Sequence, residues 1–202
     1  MWVLWLTLLL VGFDWEEGAA VFWCSLWRWG AIDRSLGLNV CAENGQRQQS
    51  DNGMSRAIVV YDTRFGNTEK IARALAEGME GQGVHVDCLK VDEVDVGKLG
   101  EYDLLAIGGP THAFGISKPM KNFLQKLENV NLGGKRAFAF DTKLKSRFAG
   151  SAGKGIEKEL KKLGMGMVKS HVSAIVGGGE GPVEEGAEEK FRQIGVDVAK
   201  LL

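Results

Sequence analysis

Tryptophan disappears from the sequence after Trp29: all six lie at or before that position, and none occurs in the long remainder. So uneven a distribution divides the chain into two unlike pieces. Cysteine is scarce, and Cys24, Cys41 and Cys88 lack the paired spacing of a metal site. Histidine is equally rare. His85, His112 and His171 fall in different segments and are not clustered with carboxylates, so no metal centre is expected. Charge of one sign is missing too: 25 Lys and Arg against 26 Asp and Glu leave a net −1, which removes bulk attraction to nucleic acid as a function. No apolar run reaches the roughly 20 residues that a membrane-spanning helix needs. The longest, WVLWLTLLLVGF at residues 2–13, is about a dozen residues long.

That run also lacks the basic start of a signal peptide, since the first basic residue is Arg28 and Asp14, Glu16 and Glu17 follow it directly. Bulky Trp23 ahead of Cys24 argues against a lipoprotein cysteine. The polar stretch GQRQQSDNG, residues 45–53, has no apolar periodicity, and Met54 stands just after it. The reading adopted is two parts: residues 1–53, an apolar, Trp-rich extension, and residues 54–202, a folded domain that starts at the true translation start, Met54. An uncleaved membrane or interfacial anchor and a cleaved leader are the alternatives for the first part. With 45% hydrophobic residues the chain has enough apolar material for one sizeable core.

From Met54 onward the pattern alternates strand and helix. Ile58, Val59 and Val60 form a continuous apolar, β-branched run that suits a central parallel strand covered on both faces. A helix is predicted from about Thr68 to Glu80, an edge-like strand over Val84 to Leu89, and a third strand over Asp103 to Gly108. A helix over Lys118 to Leu127, a strand over Arg136 to Phe140, a helix over Gly150 to Leu163, a strand over His171 to Val176 and a closing helix over Glu184 to Leu202 complete the series. Five βα units of this kind imply an α/β fold with a doubly wound five-stranded parallel sheet and helices on both faces. Ligands then bind beyond the carboxyl ends of the strands, where strand order reverses.

Three loops at that end carry the candidate chemistry. After the first strand come Thr63, Arg64, Phe65, Gly66, Asn67 and Thr68, with hydroxyls, an amide and a run of backbone N–H groups leading into a helix; such a loop suits a dianionic phosphate. It is neither a Walker loop, because Asn67 and Thr68 follow Gly66 where Lys and Ser or Thr are required, nor a dinucleotide fingerprint, which needs three spaced glycines. After the third strand, Gly108 and Gly109 allow close backbone approach, Pro110 stiffens the turn, and Thr111, His112, Ala113, Phe114 and Gly115 offer a hydroxyl and two rings for a planar group. After the fourth come Asp141, Thr142 and Lys143. The GGGEG run, Gly177 to Gly181, follows the fifth strand at the same end; it reads first as a flexible turn, and the alternative is that it flanks a ligand.

Thr63, Gly66, Asn67, Thr68 and Glu69, in that order, resemble the phosphate loop of flavodoxins, with Arg64 and Phe65 where that family usually carries Thr or another small residue. Gly109, Pro110, Thr111 and Gly115 are similar to the second flavin loop, closer to quinone-reductase members than to short flavodoxins. DTKLKSR followed by FAGSAGKGIEKELKKLG resembles the third flavin loop and its helix. The resemblance implies a flavodoxin-like fold and bound FMN, with phosphate on Thr63, Gly66, Asn67 and Thr68 and the ring flanked by residues 110–115 and 141–143. It also implies an electron carrier with no catalytic side chain of its own. The alternatives are an NAD(P)H-dependent quinone or FMN reductase of the same fold, and a domain that has lost FMN and serves as a binding module. Arg64, Lys118, Lys143, Lys145 and Arg147 outnumber Asp62 and Asp141 around these loops, so redox partners with acidic docking faces are expected. A cytoplasmic location is expected, with a membrane role only if the N-terminal extension is real.

Overall fold

The computed structural model describes residues 54–112, 115–146 and 150–202. The expectations for residues 1–53, and for Ala113, Phe114 and Arg147, lie outside the described residues. The chain divides into two units, residues 1–48 and 49–202, and every described residue belongs to the second.

The apolar run becomes strand β1 (Arg56–Tyr61), followed by helix α1 (Asn67–Glu80) and strand β2 (His85–Lys90). A 3₁₀ turn at Val96–Glu101 leads to β3 (Leu104–His112), a two-residue strand β4 (Gly115–Ile116) and α2 (Lys118–Leu127). Then come β5 (Arg136–Leu144), α3 (Ala152–Lys162), the short β6 (Gly166–Met167), β7 (Val172–Val176) and α4 (Ala187–Ala199). The sheet runs β2-β1-β3-β5, and both β6 and β7 pair in parallel with the free edge of β5. The expected five positions are therefore filled, the last by two short strands, and β4 adds an antiparallel pair on the end of β3.

Alternation along each strand sends side chains to opposite faces. Ala57, Val59 and Tyr61 of β1 pack with Ile71, Leu75 and Met79 of α1 and Phe191 and Val198 of α4. Ile58 and Val60 face the other way, onto Met120, Phe123 and Leu127 of α2 and Ile156 and Leu160 of α3. Burying each such large side chain stabilises the fold by about 1.5–3 kcal/mol, so both layers contribute substantially. On the first face α1 and α4 meet backbone to backbone: a Cβ on Gly195 would lie 2.2 Å from the Leu75 carbonyl oxygen, and one on Gly78 2.0 Å from that of Arg192.

Two strands run further than the composition suggests. β3 continues through Gly109, Pro110 and Thr111 because Gly109 pairs with Asp141 and Pro110 with Thr142. Pro110 fits there because β1 ends its pairing at Gly108, so this stretch of β3 has a neighbour on one side only. The segments expected to be loops after the third and fourth strands are thus largely extended sheet. Order reverses between β1 and β3, which places the crevice for a ligand at their carboxyl ends.

Candidate functional site

Gly66 sits at the N-cap of α1 in the left-handed conformation, with φ of 80°, which residues with a side chain adopt only under strain. The Gly66 N–H donates to Thr63 Oγ1 at 2.9 Å, and this closes the loop. No side chain caps α1, so the first-turn N–H groups, which have no intrahelical acceptor, are available to an anion. Thr68 is buried, and its hydroxyl lies 3.0 Å from that of Thr142 on β5. Asn67 turns elsewhere: its Nδ2 donates to the Glu180 carbonyl oxygen at 2.9 Å. That amide ties the GGGEG segment to the loop and is already committed. Phe65 is 44% exposed, with the Arg64 guanidinium 5.2 Å from its ring centre.

On the other side of the crevice, β3 and β4 form a hairpin in which His112 pairs with Gly115 and Thr111 with Ile116. Asp141 lies behind this hairpin, fully buried. Its Oδ2 accepts from Thr111 Oγ1 at 3.0 Å and from Ser151 Oγ at 2.9 Å. Those two hydroxyls in turn accept the N–H groups of Ala152 and Lys154, at 3.0 and 3.1 Å. Two N–H groups at the start of α3 are thereby relayed through hydroxyls onto one carboxylate oxygen, a favourable arrangement at the positive end of a helix. Asp141 Oδ1 has no hydrogen-bond partner and packs against Gly153. Asp62, also buried, accepts from Ser117 Oγ at 2.5 Å and anchors the start of α2 to the end of β1.

Between these walls lies a cleft of about 440 Å³, within the roughly 300–1,000 Å³ range of small-molecule sites. Thr63, Arg64, Phe65, Asn67 and Thr68 line one end, Pro110, Thr111 and His112 one wall, and Thr142 and Lys143 the floor. Three expected residues do not line it. Gly66 shapes the helix cap, Gly115 closes the hairpin, and Asp141 sits behind Thr111, because on β5 it points to the α3 side while its neighbour Thr142 points to α1. The Thr111 hydroxyl is likewise donated inward rather than to the cleft.

Leu144 and Val176, which sequence reasoning missed, complete the lining together with Gly178, Gly179 and Glu180, which it read first as a turn and only alternatively as flanking a ligand. The signal was the glycine run at the carboxyl end of the last strand, which reads as a turn until the Asn67 contact places it. Of the cations expected here, Arg64 and Lys143 line the cleft, whereas Lys118 lies in a separate groove beside Val91 and Phe123, and Lys145 pairs with Glu184 at 3.3 Å. Tyr61, at the end of β1, has its phenol raised above the usual range by burial and by nearby Glu69, so it stays neutral.

A model of the flavodoxin family matches residues 59–194. The chain belongs to the flavodoxin family. That family is FMN-binding. A flavodoxin of Aquifex aeolicus is 38% identical over 93 residues, covering 44% of this chain and 50% of that protein. One from Maridesulfovibrio salexigens is 32% identical over 118 residues, covering 55% and 80%. An NAD(P)H dehydrogenase (quinone) of Chromohalobacter salexigens is 32% identical over 104 residues, covering 41% and 52%. The chain spans about half the length of the first curated relatives it matches. Among solved structures, a flavodoxin from the domain Archaea superposes with a TM-score of 0.63 at 26% identity, over 72% of this chain and 97% of that one. Flavodoxin 1 from Bacillus cereus superposes with 0.66 at 21% identity, over 73% and 99%, which bears on the fold alone. Among the described residues no helix is long and apolar enough to cross a membrane, and no His, Cys, Asp and Glu cluster could hold a metal ion.

Proposed function

We propose that this chain is an electron carrier that holds FMN in the cleft between the Thr63–Thr68 loop and the β3–β4 hairpin and exchanges electrons with partner proteins. The observation that carries this reading is the uncapped start of α1. A helix of 14 residues whose first-turn N–H groups lack a side-chain cap, flanked by the Thr63 and Thr68 hydroxyls, fits a phosphate at the closed end of a cleft of suitable volume. FMN supplies the one- and two-electron chemistry when bound. The chain's own residues bind and orient: Thr68 and the α1 N–H groups hold the phosphate, Pro110, Thr111 and His112 supply a wall for the ring, and Thr142 and Lys143 a floor. Asp141 keeps the hairpin and α3 in register through Thr111 and Ser151.

Arg64 and Lys143 make the described lining cationic against Glu180. This supports redox partners that present acidic faces, since charge complementarity speeds encounter. The relatives named as NAD(P)H dehydrogenase (quinone), together with the Gly109-Pro110-Thr111 segment, favour a reductase as the second reading. Reconstitution separates the readings. The carrier binds FMN stoichiometrically, shows the absorption of protein-bound flavin, and turns over neither NADH nor NADPH with a quinone. Steady quinone reduction by a pyridine nucleotide makes it the reductase. Absence of bound flavin after exposure to excess FMN leaves only the binding module.

A further inference from the structure

The charge on the helices is divided between the two faces of the sheet. On one face α2 and α3 together carry seven lysines against two glutamates. On the other, α1 and α4 carry four basic residues against six acidic ones. All seven lysines are exposed. Lys161 and Lys162 pair along α3 with Glu157 and Glu159, whereas Lys118, Lys121, Lys126, Lys154 and Lys158 have no ion-pair partner among the described residues. A groove of about 340 Å³ runs between α2 and α3, with Ile116, Leu124 and Leu163 contributing its apolar lining and Lys121 and Lys162 on its sides.

We propose that the α2–α3 face docks an acidic segment of a partner protein, with apolar side chains of that segment entering the groove. The lysines supply steering and the apolar lining supplies the contact that water exclusion rewards. Glu128 and Glu159 also line the groove. Their carboxylates disfavour a continuous polyphosphate backbone, whereas a protein segment with spaced charges can avoid them. A lipid surface is disfavoured as well, because the large exposed apolar residues, Met54, Phe65, Leu144 and Leu201, all lie off this face. The opposite sign of the α1–α4 face orients the molecule so that α2 and α3 lead into an acidic partner's field. The proposal goes beyond the carrier reading and does not depend on bound flavin.

The test uses the full chain labelled for amide NMR, with and without FMN, and four probes. These are a helical peptide of Glu and Leu, the same peptide with Gln for Glu, phosphatidylglycerol vesicles and a single-stranded thymidine oligonucleotide. The acidic peptide is expected to move the amides of Ile116, Lys121, Leu124, Gln125 and Leu163, and to bind at least about tenfold more tightly at low than at moderate salt. Replacing Lys118, Lys121, Lys126, Lys154 and Lys158 by Gln is expected to abolish that binding, while Lys190→Gln with Lys200→Gln leaves it unchanged. Shifts clustered around Arg64 and Lys143, unaltered binding by the five-lysine variant, or no peptide binding would overturn the proposal. Tighter binding of vesicles or oligonucleotide to the same face would also overturn it, in favour of that anion. Loss of FMN binding alone leaves these outcomes readable, so the two readings fail separately.

Discussion

Replacing Thr68 by Val changes shape very little at a position that is 1% exposed, so its effect reports the hydroxyl. In the free protein that hydroxyl shares one neutral hydrogen bond of 3.0 Å with Thr142. Losing it lowers stability by about 0.5–1.5 kcal/mol. If the Thr142 hydroxyl donates to Thr68 and Thr68 donates on to phosphate, the same substitution also removes a charge-assisted bond worth about 1.5–3 kcal/mol in binding. Affinity for FMN then falls by about 10- to 150-fold. Riboflavin has no phosphate and is expected to lose no more than about threefold, a fraction of a kcal/mol. Thr142→Val is the control. It removes the same internal bond, and with it a similar amount of stability, but FMN affinity falls much less because Thr68 keeps its proton for the phosphate. Titration by flavin fluorescence at 25 °C, with thermal melts of the free variants, gives all the numbers. Equal losses for FMN and riboflavin, or a Thr142 variant as damaged toward FMN as the Thr68 variant, would refute the orientation proposed for the cleft.

Other perturbations follow from the packing and charges of the fold. Gly195→Ala places a Cβ 2.2 Å from the Leu75 carbonyl oxygen. Overpacking at so close a helix crossing is expected to cost about 2–3 kcal/mol. That lowers the thermal midpoint by about 5–10 °C, whereas Gly100→Ala, which meets nothing within 4 Å, leaves it unchanged. The Glu157 carboxyl is held down at about 2 by its hydrogen bond from Lys161, then by the His171 backbone N–H and ring. Because the folded value lies below the unfolded one, its contribution is complete above about pH 4.5 and is lost as pH falls toward about 2. Glu157→Gln flattens that part of the stability profile by on the order of 1 kcal/mol, since the exposed Lys161 partner is screened; an unchanged acid limb in urea melts at successive pH values contradicts it. Changing Arg64 and Lys143 together to Gln is expected to lower the potential of the last reduction step of bound FMN, more so at low salt, because cations favour the reduced, anionic ring; a potential that ignores both charge and salt places them remote from it. A chain beginning at Met54 is expected to melt within a few degrees of the full chain and to bind FMN equally; an insoluble product moves the domain boundary upstream.

Much of this fold was legible because burial on both faces imposes a pattern that needs no partner to be recognised. Ile58 to Val60 reads as a central strand, and Met120, Phe123, Leu124 and Leu127 mark α2 residue by residue. The ends of β3 and β5 were not legible. Gly109 and Pro110 have poor strand propensity, and only their register against Asp141 and Thr142 makes them sheet. The same blindness to pairing hid which side each residue faces: Asp141 and Thr142 are neighbours in sequence, yet one is buried toward α3 and the other lines the cleft. The Gly178–Glu180 wall was only half legible, for another reason. One of the contacts that set its place comes from the Asn67 amide, 113 residues earlier in the sequence, which no local pattern reveals.

That last contact has a consequence for how the protein is made. Asn67 and Glu180 are separated by 113 residues, so the Gly178–Glu180 side of the cleft closes only after the final strand and its glycine turn have left the ribosome and docked. Flavin in the completed cleft therefore touches both the first and the last βα units, and its full lining is present only once their non-local pairing is complete. On the finished domain it acts through mass action on the folded population. Cofactor supply in the cell should then govern how long the completed protein persists.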